Sequence, residues 1–138
     1  MKTNLNPYIN FRGTTREAMT FYQSVLGGKL SISTFKDYHA AEDPSEENLI
    51  MHSMLVTENG IVIMAADAPD RMGLHVGDNI SLMLGGDNLE ELTDYFNKLS
   101  HKGTVFQSLK KEMWGDTFGM FVDQFGIQWM VNISSSPA

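Results

Sequence analysis

The chain has 138 residues, one domain's worth and enough for a real core, with a composition ordinary for a soluble globular protein. Its formal charge of −7 argues against non-specific nucleic-acid binding, which needs clustered Lys and Arg, but leaves small anionic ligands open. The absence of cysteine removes thiol catalysis, thiolate metal sites and disulfides, and fits a cytoplasmic home. The opening MKTNLNPYINF lacks the apolar run of a signal peptide and nothing reaches the length of a membrane span, so no membrane partner is expected.

Residues 8–11 read as a short strand ended by Arg12-Gly13. Thr14 followed by Glu17 has the capping-box pattern, which predicts a helix starting there. Ala18, Phe21, Tyr22 and Val25 fall on its apolar face, and Gly27-Gly28 stops it. Residues 30–33 alternate as a strand, and the acidic stretch 37–48, with Pro44, reads as a loop. Strands 49–57 and 61–66 flank Asn59-Gly60, a strong turn signal. Residues 68–79, with Pro69, Gly73 and Gly77, read as a linker. A strand at 80–84 follows, then a helix capped by Asp87 or Asn88, with Leu89, Leu92, Phe96 and Leu99 as its stripe. Gly103, a strand at 104–109 and a polar turn lead to Trp114–Asn132, read as two strands around Gln124-Phe125-Gly126. Ser134 onward reads as a frayed tail.

The chain repeats itself. Residues 54–64 align without a gap on 120–130, with Met, Val, Gly, Ile and Met in register, and Phe21-Tyr22 is echoed by Tyr95-Phe96. The expected fold is α+β, with two tandem βαβββ modules at about 5–67 and 80–133 joined by the linker at 68–79, all in one domain of residues 1–138.

With Phe-Tyr in the first helix, Gly-Gly after it and Asp123-Gln124-Phe125-Gly126-Ile127-Gln128-Trp129 near the end, the chain resembles the vicinal oxygen chelate superfamily of glyoxalase I, bleomycin-resistance proteins and extradiol dioxygenases. Pro7-Tyr8-Ile9-Asn10-Phe11, Trp114-Gly115-Asp116 and Phe118-Gly119 bring it closest to the PhnB-like branch, once labelled as resembling a demethylubiquinone methyltransferase. The resemblance implies a curved mixed-sheet cup with one ligand cleft. It also implies that metal-using members take one ligand, usually His or Glu, from the first and last strands of each module. The last-strand positions are Met64 and Met130; the first-strand positions are Tyr8 and Ser81, or one residue earlier, Pro7 and Ile80. None is His, Asp or Glu, and thioethers are poor ligands for hard or borderline cations, so neither a metal site nor another cofactor is expected.

Counting back through the glycine-ended turns places Met54 opposite Met64, His52 opposite Ala66, Met120 opposite Met130 and Phe118 opposite Asn132. If the carried-over positions face the cleft, its lining is Tyr8, Asn10, His52, Met54, Met64, Ser81, Trp114, Asp116, Phe118, Met120, Met130 and Asn132; Phe121, Ile127 and Trp129 point the other way. Such a set suits a small, partly apolar or aromatic molecule, although methionines facing each other in a hairpin also serve as core packing. His52 is either a general base or a hydrogen-bonded structural residue, and no carboxylate partner for it is evident. His39, His75 and His101 fall in loops or at a helix end. Trp114 is placed to stack on or cap a ligand, and Asp116 either binds a cation or polar edge or caps a turn at Gly115. Three functions remain open: a binding protein, a lyase, isomerase or dioxygenase using a metal or His52, and a vestigial interaction module. A homodimer is expected.

Overall fold

The computed structural model describes residues 2–135, so the last three residues of the tail lie outside the described residues. The chain separates into two compact units, Met1–Val76 and Gly77–Ala138. In the first, β1 (Tyr8–Phe11), α1 (Thr15–Leu26), β2 (Lys29–Thr34), β3 (Ile50–Val56) and β4 (Val62–Asp67) follow in order. In the second, β5 (Leu82–Gly86), α2 (Leu89–Leu99), β6 (Thr104–Lys111), β7 (Thr117–Val122) and β8 (Gln128–Ile133) repeat the same βαβββ order. The sheets have equivalent strand orders, β1-β4-β3-β2 and β5-β8-β7-β6, with one parallel pair in each. This is the expected α+β fold of two mixed sheets with two helices. Among the described residues no helix is long and apolar enough to cross a membrane.

Each sheet buries one face under its helix. Leu55, Ile63 and Ala65 are buried in the first unit, and Phe121, Trp129 and Val131 in the second. Strand alternation then turns Met54, Met64, Met120 and Met130, all half-buried, to the opposite face. Phe96 of α2 meets Phe121 edge-on at 5.0 Å, and Phe121 lies parallel to Trp129 at 6.4 Å. Full burial of side chains of this size stabilises by roughly 1.5–3 kcal/mol each.

The helix starts differ from their expected form. The Thr14 side chain makes no capping bond. Asp67, at the end of β4, does that work: its Oδ1 accepts from Gly13 N–H at 3.0 Å, Thr15 N–H at 3.1 Å and the Thr15 hydroxyl at 2.7 Å. Its Oδ2 accepts from Ile50 N–H at 2.9 Å, so one carboxylate joins α1, β3 and β4. Held there, α1 buries Thr15, Ala18, Met19, Tyr22 and Leu26, while Phe21 and Val25 stay half-exposed. The stripe is turned from the expected one because the anchor at Thr15 sets the helix phase. In α2 the choice falls on Asn88, whose side chain accepts from Glu91 N–H at 3.0 Å, and Leu89 is exposed rather than in the stripe.

The acidic stretch before β3 holds a short 3-10 turn, Pro44–Glu46, with Glu46 buried. Arg71, in the stretch read as linker, reaches the Glu46 carboxylate at 3.0 Å and Glu42 at 3.1 Å. That stretch therefore begins as part of the first unit.

Candidate functional site

The face of each sheet away from its helix carries the residues of interest, and each unit has its own set. In the first unit, Tyr8 pairs with Met64, Met64 with Met54, and Met54 with Ser31. The chain thus lays a row Tyr8–Met64–Met54–Ser31 across four strands. Asn10, on the same face of β1, pairs with Ala66, and His52 of β3 pairs with Ser33. A bulge after Ser33 interrupts the ladder there. The Tyr8 hydroxyl lies 3.2 Å from His52 Nδ1, and their rings meet tilted at 5.9 Å. Burial, and then the neighbouring Tyr38, hold the Tyr8 phenol above its ordinary range, so it stays a neutral hydroxyl at physiological pH. His52 therefore does have a partner, a phenol in place of the carboxylate sought from sequence.

In the second unit, Met83 pairs with Met130, Met130 with Met120, and Met120 with Gln107. Phe118 pairs with Asn132, as the turn count requires. The Asn132 side-chain amide donates to Asp116 Oδ2 at 3.0 Å, and Ser135 N–H donates to Asp116 Oδ1 at 3.2 Å. Asp116 also closes the turn before β7, its carbonyl accepting from Glu112 N–H at 2.7 Å, with Gly115 at φ 100°. Asp116 thus closes the turn through its backbone carbonyl, while its carboxylate is engaged by Asn132 and Ser135. Trp114 is exposed at the tip of that turn, with its ring 6.2 Å from Phe118.

One position needs correction. Ser81 lies one residue before β5, and the counterpart of Tyr8 opposite Met130 is Met83. The strand runs through Gly85 and Gly86, paired with Asn132 and Ile133. Glycine is a poor strand former, so its presence hides the strand's true end from a sequence reading. A signal was available: the helix echo of Tyr22 and Phe96 is offset by 74 residues (96 − 22), which carries Tyr8 to Leu82, next to Met83. Ser31, Ser33 and Gln107 share these faces on β2 and β6, whose bulges leave no clear repeat in the sequence, and Tyr38 lies in the turn after β2. His39, His75 and His101 are exposed.

The four cross-strand positions to which the resemblance would assign metal ligands hold Tyr8, Met64, Met83 and Met130. A phenol kept neutral and three thioethers do not fit a hard or borderline divalent cation. Among the described residues no group of three or more His, Asp or Glu side chains is placed to hold a metal.

Residues 3–132 match the profile of the 3-demethylubiquinone-9 3-methyltransferase family. The chain belongs to this family. Among solved structures it is similar to protein PA1353 from Pseudomonas aeruginosa, at 32% identity, with 98% of this chain and 100% of that one covered and a TM-score of 0.83. It is also similar to a Bacillus cereus PhnB protein described as a putative 3-demethylubiquinone-9 3-methyltransferase, at 24% identity over 96% and 100% of the two chains, TM-score 0.76. A glyoxylase/bleomycin resistance protein/dioxygenase domain from Frankia sp. shares the fold, at 13% identity over 100% and 96% of the chains, TM-score 0.69. The latter two likenesses show a shared fold.

Proposed function

We propose that this protein binds a small, partly apolar or aromatic molecule on the methionine-bearing sheet faces, without the hard-cation site of the superfamily's metal-dependent members. The observation that carries this reading is the chemistry of the ladder positions: Tyr8, Met64, Met83 and Met130 offer apolar, polarisable surface where relatives that use metal need imidazole or carboxylate. The Tyr8–His52 pair supplies a polar anchor beside this surface, the mix that small-molecule sites favour. The family's label describes methyl transfer, but one fold hosts many activities and a label does not transfer to a site. A thermal-shift screen of metal-stripped protein against a broad compound library is expected to yield apolar and aromatic hits. No stabilisation by any compound sinks the reading, and stoichiometric Ni, Zn, Mn or Fe in untagged protein overturns its metal-free half.

A second reading is favoured by the Tyr8–His52 hydrogen bond: a metal-free enzyme with His52 as general base, oriented by the phenol. Once an activity is found, His52→Ala must abolish it and Tyr8→Phe must lower it; full turnover by His52→Ala rejects this role. The protein acts as a cytoplasmic homodimer in this proposal. A monomer by light scattering at micromolar concentration removes the dimer.

A further inference from the structure

We propose that Met83, Met120 and Met130 form a site for one soft monovalent cation of the Cu(I) or Ag(I) class. These three residues are direct cross-strand neighbours on β5, β8 and β7, with Met130 in the middle. Neighbouring strands lie about 4.8 Å apart, so side chains paired on one face stand about one strand spacing from each other, and each thioether swings on three rotatable bonds, which lets three sulfurs converge above Met130. Thioethers select soft ions such as Cu(I) over Zn, Mn or Mg, and three neutral donors suit the low coordination number of Cu(I) and Ag(I). Met120 and Met130 are half-buried while Met83 is 61% exposed, which leaves a route of entry. The acidic groups of the adjoining turn are already engaged, Asp116 by Asn132 and Ser135 and Glu112 by Gln107, and do not offer a free hard competing site.

Apolar packing alone does not account for the trio. The equivalent row of the first unit has two methionines and Tyr8, so the third thioether belongs to the second unit only. Packing would be served as well by leucine. The same swap also gives the test, because Met→Leu keeps volume and apolarity at a usual cost under about 1.5 kcal/mol while removing the donor sulfur.

Ag(I) is the redox-inert probe. Full-length, metal-stripped protein is titrated with Ag(I) and followed by native mass spectrometry and by NMR of 13C-methyl-labelled methionine. The expected result is one bound equivalent, with the methyls of Met83, Met120 and Met130 shifting together and those of Met54 and exposed Met113 staying in place. Met130→Leu and Met120→Leu should each weaken binding about tenfold or more, the scale on which metal sites respond to loss of a supporting group, with melting temperatures checked in parallel. Met113→Leu should change nothing. Shifts spread over Met54 or Met113, or Ag(I) affinity within about twofold of the parent in both variants, overturn the site. Small-molecule binding is measured separately on the metal-stripped parent protein without Ag(I), so failure of the cation site and failure of the function proposed above are read apart.

Discussion

In the first unit a buried carboxylate stands at the end of the last strand, where Asp67, 5% exposed, ties the start of α1 to the β3–β4 ladder. In the second unit the same ladder position is Ile133, and the buried carboxylate sits in the β7–β8 turn instead. There Asp123, 3% exposed, accepts from Phe125 and Ile127 N–H at 2.8 and 3.0 Å and from the Trp129 indole N–H at 2.9 Å. The first unit's counterpart of Asp123 is Thr57, whose hydroxyl accepts from Ile61 N–H at 3.0 Å. The difference teaches that the repeated backbone sets the list of groups needing a partner, while each unit answers it with a different residue. Where a helix has its own cap, as α2 has in Asn88, the distant carboxylate is not needed and an apolar residue fills the place. Where the local Thr14 does not cap, Asp67 must.

Removing the two carboxylates should have the largest effect. Asp67→Ala strands several backbone and hydroxyl donors, two of them on buried Thr15, and should lower stability by about 3–5 kcal/mol. Hydrogen exchange should show the α1 start losing protection while α2 keeps it. Asp123→Ala should cost roughly 2–4 kcal/mol and loosen the turn, with a shift in the emission of Trp129. Equal loss of α1 protection in both variants would refute the division of labour.

The glycines before β2 and β6 sharpen what the two units share. A Cβ at Gly28 would collide with the Val56 carbonyl oxygen, and one at Gly103 with that of Val122. Gly28→Ala and Gly103→Ala should each destabilise by about 1–3 kcal/mol in chemical denaturation, Gly28 the more because its φ is 97°. Tolerance at one of the two would mean that the repeat is not equivalent there.

The smallest effect concerns a contact only the first unit has. Arg71's hydrogen bond, and then the Glu42 backbone N–H, hold the Glu46 carboxyl below its ordinary value of 4.5. A lowered folded value means that the stability is present above pH 4.5 and is lost as pH falls through the lower folded value. Melting temperature against pH should therefore decline below about 4.5, and Glu46→Gln should flatten that slope. An unchanged slope removes Glu46 from the acid transition.

Most of the fold was legible because strand alternation, turn glycines and two copies of one pattern constrain each other. The hairpin register next to each turn follows from the sequence, since a glycine-ended turn sets the pairing on both sides of it. Met54 with Met64 and Met120 with Met130 needed nothing more. Legibility failed where a partner is distant or a residue is atypical of its element. Gly85 and Gly86 concealed the end of β5 and put Ser81 where Met83 belongs. The Tyr8–His52 contact joins residues 44 apart on strands that are not neighbours in the chain, and no local spacing announces it.

By itself, then, the sequence determined the duplicated α+β modules, the hairpin registers next to the turns and the thioether chemistry of two ladder positions, Met64 and Met130, because these depend on local periodicity and turn geometry. The tertiary structure alone decided which acceptor starts α1, which residue stands beside Met130 on β5, and which group holds His52. Those depend on strand pairings between distant segments, where the choice belongs to the assembled sheet and not to any stretch of chain.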